Sequence, residues 1–217
     1  MGFLKKFTKQ EISWMMYDWA NSAHSVIVVT ILPIFFDTVA GYTADSVSSM
    51  STWGFATSLA MAIVALSAPF LGVFGDIRDM RKKLFTAFLL LGVASVAGLA
   101  FTPLMDFTSS PTAAGKVAAM VLVLYILSTI GFDASCIYYD AFLTDVTTEE
   151  RMDSVSTLGY GLGYIGGSTI PLLICLIMNA VGVPMLTSLA IIFAITAVWW
   201  LVFSLPLLKN CEQTTGK

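Results

Sequence analysis

The residues with the clearest capacity for chemistry lie in the stretch YDWANSAHS, positions 17–25. At about 100° per residue on an α-helix, Tyr17, Asp18, Asn21, His24 and Ser25 share one face, and apolar side chains occupy the other. A carboxylate, an amide and an imidazole on one face could bind a polar solute or pass protons. The chain has a single histidine, so we predict no metal site here.

Purely structural roles remain open for two of these residues. Asp18 could lie near the cytoplasmic end of its helix and only cap it or pair within the bundle. His24 lies deeper and could be a neutral histidine of the packed core.

A second helix is predicted to carry the same kind of face. Thr129, Asp133, Cys136 and Asp140 are spaced by four, three and four residues, which places them on one side of a helix. Two helices that direct carboxylates inward favour a pathway for solute or protons over simple packing.

The composition explains why these faces matter. The 217-residue chain is 57% hydrophobic and 12% charged, with a mean hydropathy of +0.85. Soluble domains are about 25% charged, so we predict an integral membrane protein surrounded by the lipid bilayer. No basic tract indicates nucleic acid. The three cysteines form no CxxC pair, which argues against a zinc site or a disulfide framework. We predict no cofactor.

Uncharged stretches divide the chain into six predicted membrane spans, since a span needs roughly 20 apolar residues. Long, continuously apolar segments indicate an all-α bundle rather than a β-barrel. The spans are expected at about 12–36, 47–75, 84–105, 117–142, 154–179 and 184–208, forming one six-helix domain over 12–208. Residues 1–11 are expected to be an uncleaved cytoplasmic lead-in, and 209–217 the start of a central cytoplasmic loop or tail.

The positive charges set the orientation, because basic residues collect in cytoplasmic loops. With the N-terminus inside, ten of the eleven basic residues are cytoplasmic and only Lys116 is outside. The cytoplasmic set is Lys5, Lys6, Lys9, Arg78, Arg81, Lys82, Lys83, Arg151, Lys209 and Lys217. Both termini are therefore predicted to be cytoplasmic.

The loop between the second and third spans carries a possible conformational latch. Gly72, Asp76 and Arg81 resemble the major facilitator superfamily signature G-x-x-x-D-R/K-x-G-R-R/K. Three positions depart from that signature: Ile77, Asp79 and Met80. The loop could alternatively serve only as an orientation signal.

Three further stretches resemble the vacuole-effluxer-like family of that superfamily. They are YDWANSA at 17–23, followed by Pro33; DAFLTDVTTEERM at 140–152; and LGYGLGYIGG at 158–167. The resemblance implies six-helix halves built from inverted three-helix repeats, with a site at mid-membrane lined by the first and fourth spans. It also implies that Asp76 and Arg81 help to close the cytoplasmic side against the other half.

Gly159, Gly163 and Gly167 lie four residues apart on one face of the fifth span. Such a seam is typical of close helix packing, and an alternative is that it slides during transport. The related antiporter motif has Gly-Pro where this chain has Leu162-Gly163, so antiport is not inferred.

The family resemblance predicts a secondary transporter for a small polar, amino-acid-like solute, with protons as a candidate coupling ion. Members of the superfamily usually have twice as many spans, so a second six-helix half is expected in the same chain, in a separate chain or in a dimer. The expected location is the cell membrane, or a vacuolar membrane in a eukaryote. We predict no enzymatic activity. The alternatives are a non-transporting membrane scaffold or fragment and an intramembrane aspartyl protease using Asp18 and Asp76.

Overall fold

The computed structural model describes residues 6–43 and 49–214, and it builds them from α-helices joined by short connections. These residues contain no β-strand. Six helical segments are long and apolar enough to cross a membrane. The prediction of an all-α protein with six membrane spans is therefore confirmed.

Eight α-helices make up the six spans. The first span contains α1 (Lys9–Thr30) and α2 (Leu32–Ala40), the second is α3 (Ser49–Gly75), and the third is α4 (Arg81–Leu99) with a 3-10 turn (Thr102–Leu104). The fourth span is α5 (Pro111–Val146). The fifth contains α6 (Glu149–Leu162), a π-helical stretch (Gly163–Ser168) and α7 (Thr169–Ala180), and the sixth is α8 (Met185–Asn210).

Local sequence signals account for several helix boundaries. Thr8 and Glu11 form a capping box at the start of α1, in which each side chain accepts a hydrogen bond from the other residue's backbone N–H. Ser110 caps α5, whose first residue is Pro111. The turn between the fifth and sixth spans contains Gly182, whose φ of 81° suits a residue without a Cβ.

The helices pack in a symmetric pattern. The first span packs against the fifth and sixth, and the fourth span packs against the second and third. Exchanging the first three spans with the last three converts one set of neighbours into the other, which is the pattern expected of two three-helix repeats. The second and fifth spans lie at the periphery. In their most apolar 18-residue segments, 11% and 22% are buried inside the bundle, against 39–44% in the other four spans.

Glycines allow the central helices to approach closely. A Cβ on Gly131 would lie 2.5 Å from the backbone nitrogen of Gly92, so the third and fourth spans touch at this point. A Cβ on Gly92 would lie 2.3 Å from the ring of Trp200 in the sixth span. Trp200 is fully buried there, and its indole N–H donates to the Tyr17 hydroxyl at 3.4 Å. These contacts join the first, third, fourth and sixth spans into one core.

Both ends of the described chain meet at one end of the bundle, which we call the terminal end. The Asn210 amide donates to the Ser13 hydroxyl at 2.9 Å, and the Cys211 thiol contacts the backbone oxygen of Gln10 at 3.6 Å. Burial raises the pKa of the Cys211 thiol to about 12, so this cysteine stays protonated at neutral pH. The first and last spans are thereby tied together.

Candidate functional site

A cavity of about 330 Å³ lies between the first, fourth and fifth spans. This volume is at the lower end of the range for small-molecule sites, roughly 300–1,000 Å³. The first span contributes Trp14, Asp18, Asn21, Ser22 and Ser25; the fourth contributes Phe132, Cys136, Tyr139 and Asp140; the fifth contributes Ser156, Tyr160, Tyr164 and Ser168. Carboxylates, hydroxyls and aromatic rings thus converge on one space.

Asp18 is held in the cavity wall by aromatic neighbours. The Tyr139 hydroxyl donates to Asp18 Oδ2 at 2.9 Å. The Tyr139 ring stacks on Trp14 with centroids 4.3 Å apart, and the Trp14 indole N–H donates to the Tyr139 backbone oxygen at 2.8 Å. Tyr139 of the fourth span, itself held by Trp14 of the first span, therefore fixes the orientation of the Asp18 carboxylate.

The predicted polar face of the first span divides between the cavity and the core. Asp18, Asn21 and Ser25 line the cavity. Tyr17 is fully buried between helices, where its hydroxyl lies 2.7 Å from the Ser135 hydroxyl. His24 is also buried and lies outside the cavity lining. Its ring packs between the fourth and sixth spans.

His24 lies among aromatic rings. It stacks on Phe132 with centroids 4.7 Å apart and is tilted against Trp200 at 5.0 Å. Neither ring nitrogen of His24 has a hydrogen-bond partner among the described residues.

The fourth span presents a slightly different face from the one predicted. Cys136 and Asp140 line the cavity, as do Tyr139 and Phe132. At the depth of Phe132 the ring of that residue forms the wall, and Asp133, about 100° further round the helix, is not part of the lining. Within the described ranges, Asp133 Oδ2 is buried and accepts no hydrogen bond.

Thr129 is buried one turn deeper than Asp133 and also lies outside the lining. The two predicted residues closest to mid-membrane on this helix therefore do not reach this cavity.

The glycine seam of the fifth span lies directly against the first span. A Cβ on Gly159 would lie 2.9 Å from Asp18 Oδ2, and one on Gly163 would lie 2.7 Å from the Ser22 hydroxyl oxygen. A Cβ on Gly167 would lie 2.4 Å from the backbone oxygen of Trp19. The absence of side chains lets the fifth span approach the polar face, so that its neighbouring tyrosines and serines close the cavity.

The loop between the second and third spans is anchored by Arg81. This side chain is only 4% exposed; it forms a short ion pair with Asp145 and donates to the Ala141 backbone oxygen at 3.0 Å. Asp76 lies farther away, with an N–O distance of 3.6 Å, and its side chain is 78% exposed. Gly72 has open space around it. Asp145, rather than Asp76, is therefore the main partner of Arg81 within this chain.

Asp79 occupies the position at which the superfamily signature has glycine. Its φ is 63°, in the left-handed region that glycine adopts most readily. Aspartate is one of the few other residues that tolerate this conformation. The backbone at Asp79 is therefore one that a glycine would also adopt without strain.

Sequence reasoning missed an ion pair at the terminal end, between the buried Glu11 and the partly exposed Arg151. Glu11 Oε2 lies 2.8 Å from an Arg151 nitrogen, and the Thr147 hydroxyl donates to Glu11 Oε1 at 2.7 Å. The start of the first span is thus joined to the connection between the fourth and fifth. No local sequence pattern pairs Glu11 with Arg151, because 140 residues separate them.

The segment after the sixth span also contributes contacts that were not predicted. The Gln213 amide donates to the backbone oxygens of Gly75 and Ile77 at 3.1 and 3.2 Å. The Thr214 backbone N–H and hydroxyl donate to Asp145 Oδ1 at 2.9 and 2.8 Å. This segment therefore connects the loop between the second and third spans, called the Arg81 loop below, to the end of the fourth span.

A bundle of six apolar helices with a polar cavity between its first, fourth and fifth spans defines a polytopic all-α membrane protein. A family profile described as "Vacuole effluxer Atg22 like" matches residues 42–217, and the chain belongs to this family. The match includes the 140–152 and 158–167 stretches and begins after the first span. The predicted family membership is confirmed.

A bacterial relative supports the same assignment. The chain is 40% identical over 218 residues to the uncharacterized MFS-type transporter YxiO of Bacillus subtilis strain 168. This alignment covers 97% of the chain and 48% of that protein, so the chain spans about half the length of its relative. No solved structure matches the chain.

Proposed function

We propose that this chain forms the N-terminal half of a secondary transporter that moves a small polar, amino-acid-like solute by alternating access. The observation that carries the proposal is the cavity between the first, fourth and fifth spans, where two carboxylates, Asp18 and Asp140, face a space of about 330 Å³. A carboxylate within a membrane span is costly unless it faces protein or water. A solute pathway gives both groups a role.

Alternating access requires two bundles that move around the site, so the proposal includes a second six-helix half. Two observations support this half: the chain aligns with 48% of its MFS-type relative, and the second and fifth spans are largely uncovered. Exposed apolar side chains on the second span include Leu66, Phe70 and Val73. We infer that these spans contact the other half as well as lipid.

The Arg81 loop is the proposed cytoplasmic gate, with both termini and this loop on the cytoplasmic side. Asp76 is exposed and paired with Arg81 only at 3.6 Å, so its carboxylate is accessible to the other half, while Arg81 is held within this half by Asp145. Closure would then be governed by contacts of Asp76. Protons are the proposed coupling ion, and Asp18 and Asp133 are the candidate carriers.

The transport proposal is tested in proteoliposomes that contain this chain with its completing half. Uptake of radiolabelled amino acids is measured for the wild type and for Asp18→Asn, with Asp153→Asn as the matched control, because Asp153 is exposed and does not line the cavity. Asp18→Asn should abolish uptake at equal protein content. Normal uptake by this variant would contradict the site assignment, and insensitivity to collapse of a proton gradient would contradict coupling.

The protease alternative requires two carboxylates at one site. Asp18 contacts Tyr139 in the cavity, whereas Asp76 lies beside Arg81 in the loop. These separate contacts favour the transporter. The proposed location is the cell membrane, supported by the similarity to a bacterial transporter.

A further inference from the structure

We propose that this half of the site recognises the ammonium group of an organic amine and provides no cationic group to pair with a carboxylate. The inference rests on the proposed function and deepens it, because it assigns one end of the solute to this chain.

The charge of the cavity lining is the first observation. Asp18 and Asp140 are its ionisable carboxylates, and no lysine, arginine or histidine is among the lining residues of the described chain. Asp140 makes no hydrogen bond or ion pair with other described residues, so its oxygens remain available to a ligand. A concave site lined by negative charge concentrates cations and repels anions.

The aromatic walls are the second observation. Trp14 and Tyr139 stack on one side, beside Asp18. Tyr160 and Tyr164 form an edge-to-face pair with centroids 5.0 Å apart on the fifth span. Both pairs line the cavity. Electron-rich ring faces attract ammonium groups, so rings and carboxylates select the same kind of ligand.

An incompletely bonded amide is the third observation. Asn21 is only 6% exposed and lines the cavity. Its side-chain nitrogen has one weak contact, to Cys136 Sγ at 3.7 Å, and its oxygen accepts no hydrogen bond from the described residues. An amide oxygen that lines a cavity and has no protein donor is available to water or to a ligand. An amide oxygen accepts hydrogen bonds, as an ammonium group requires.

These three observations are independent and share one chemical consequence. The cavity offers acceptors, negative charge and ring faces, but no cationic side chain that could pair with a carboxylate. A zwitterionic amino acid bound here would direct its ammonium group toward Asp18 and Asp140. Its carboxylate would have to be bound by residues of the completing half.

The inference is tested by equilibrium binding to the 217-residue chain, purified in dodecylmaltoside. The probes are radiolabelled 2-phenylethylamine, phenylalanine and 3-phenylpropionate, which share a ring and a two-carbon chain but differ in their charged groups. The amine is expected to bind at least as tightly as phenylalanine, and the carboxylate at least about tenfold more weakly than the amine. Asp140→Asn should weaken amine binding by about tenfold or more, and Asp153→Asn should leave it unchanged.

Asp140 has no partner within the described chain, so its replacement tests recognition without removing a structural contact. Asp18→Asn provides a second test, because Asp18 is the other carboxylate of the lining and lies beside Tyr139. A monodisperse elution profile would show that this variant is folded. Preference for 3-phenylpropionate, no saturable binding of any probe, or amine binding unaffected by both variants would overturn the inference. Amine-selective binding together with absent transport in proteoliposomes would overturn the proposed function and leave the inference intact.

Discussion

Replacing Gly167 by alanine should separate the fifth span from the first. The added Cβ would lie 2.4 Å from the Trp19 backbone oxygen, about 1 Å short of the 3.4 Å at which ordinary contact begins. A backbone oxygen within a helix cannot rotate away, so one helix must move. Overpacking of this kind costs about 1–3 kcal/mol.

Gly161 provides the matched control in the same span, since a Cβ at that position meets nothing within 4 Å. Alanine is favoured over glycine in a helix by about 1 kcal/mol. Gly161→Ala should therefore be neutral or stabilising. Both variants gain the helix propensity of alanine, so the difference in stability between them reports mainly the steric contact. We expect Gly167→Ala to be less stable than Gly161→Ala by about 1–3 kcal/mol.

The free energy of unfolding would be measured for both variants by titration with SDS in mixed micelles, followed by tryptophan fluorescence and far-ultraviolet circular dichroism. Equal stability of the two variants would refute the close approach of the fifth span to the first. Greater stability of Gly167→Ala would refute the close approach more strongly, because no steric cost would then offset the helix propensity of alanine.

Three further predictions concern the terminal end and the orientation. Glu11→Gln should lower the free energy of unfolding by about 1–3 kcal/mol. In a double-mutant cycle, the same replacement should cost less when Arg151 is already replaced by Gln. Asp145→Asn removes the nearest carboxylate of the buried Arg81 guanidinium and leaves the exposed Asp76 beside it, so it should cost about 3–5 kcal/mol; an unchanged SDS midpoint would contradict the ion pair. With cytoplasmic termini, an impermeant maleimide should label Ser109→Cys in intact cells and label Arg78→Cys only after permeabilisation, and the reverse pattern would invert the orientation.

The number and type of spans could be predicted from the sequence because the bilayer imposes a simple rule. Each span must satisfy its own backbone hydrogen bonds and be long and apolar. Uncharged stretches therefore mark helices without knowledge of their neighbours. The turn at 179–184 was visible for a similar reason, since glycine and proline act on the local backbone.

The cavity was only partly predictable, because helical periodicity gives the face of a residue but not its neighbour. Asp18 and Asn21 were found by projection. His24 lies near the same predicted face, but packing of Phe132 and Trp200 places it in the core. On the fourth span, the face that lines the cavity is offset by about one residue from the predicted face. Phe132 therefore lies in the cavity wall in place of Asp133.

By itself, the sequence determined an all-α membrane protein with six spans and its family, since composition, length and local motifs are properties of the chain alone. Only the tertiary structure decided which polar residues share a cavity and which residues form ion pairs. Glu11 with Arg151 and Arg81 with Asp145 meet because helices distant in sequence end at the same side of the bundle. Such contacts depend on helix rotation and crossing, which are set by packing against all neighbours together.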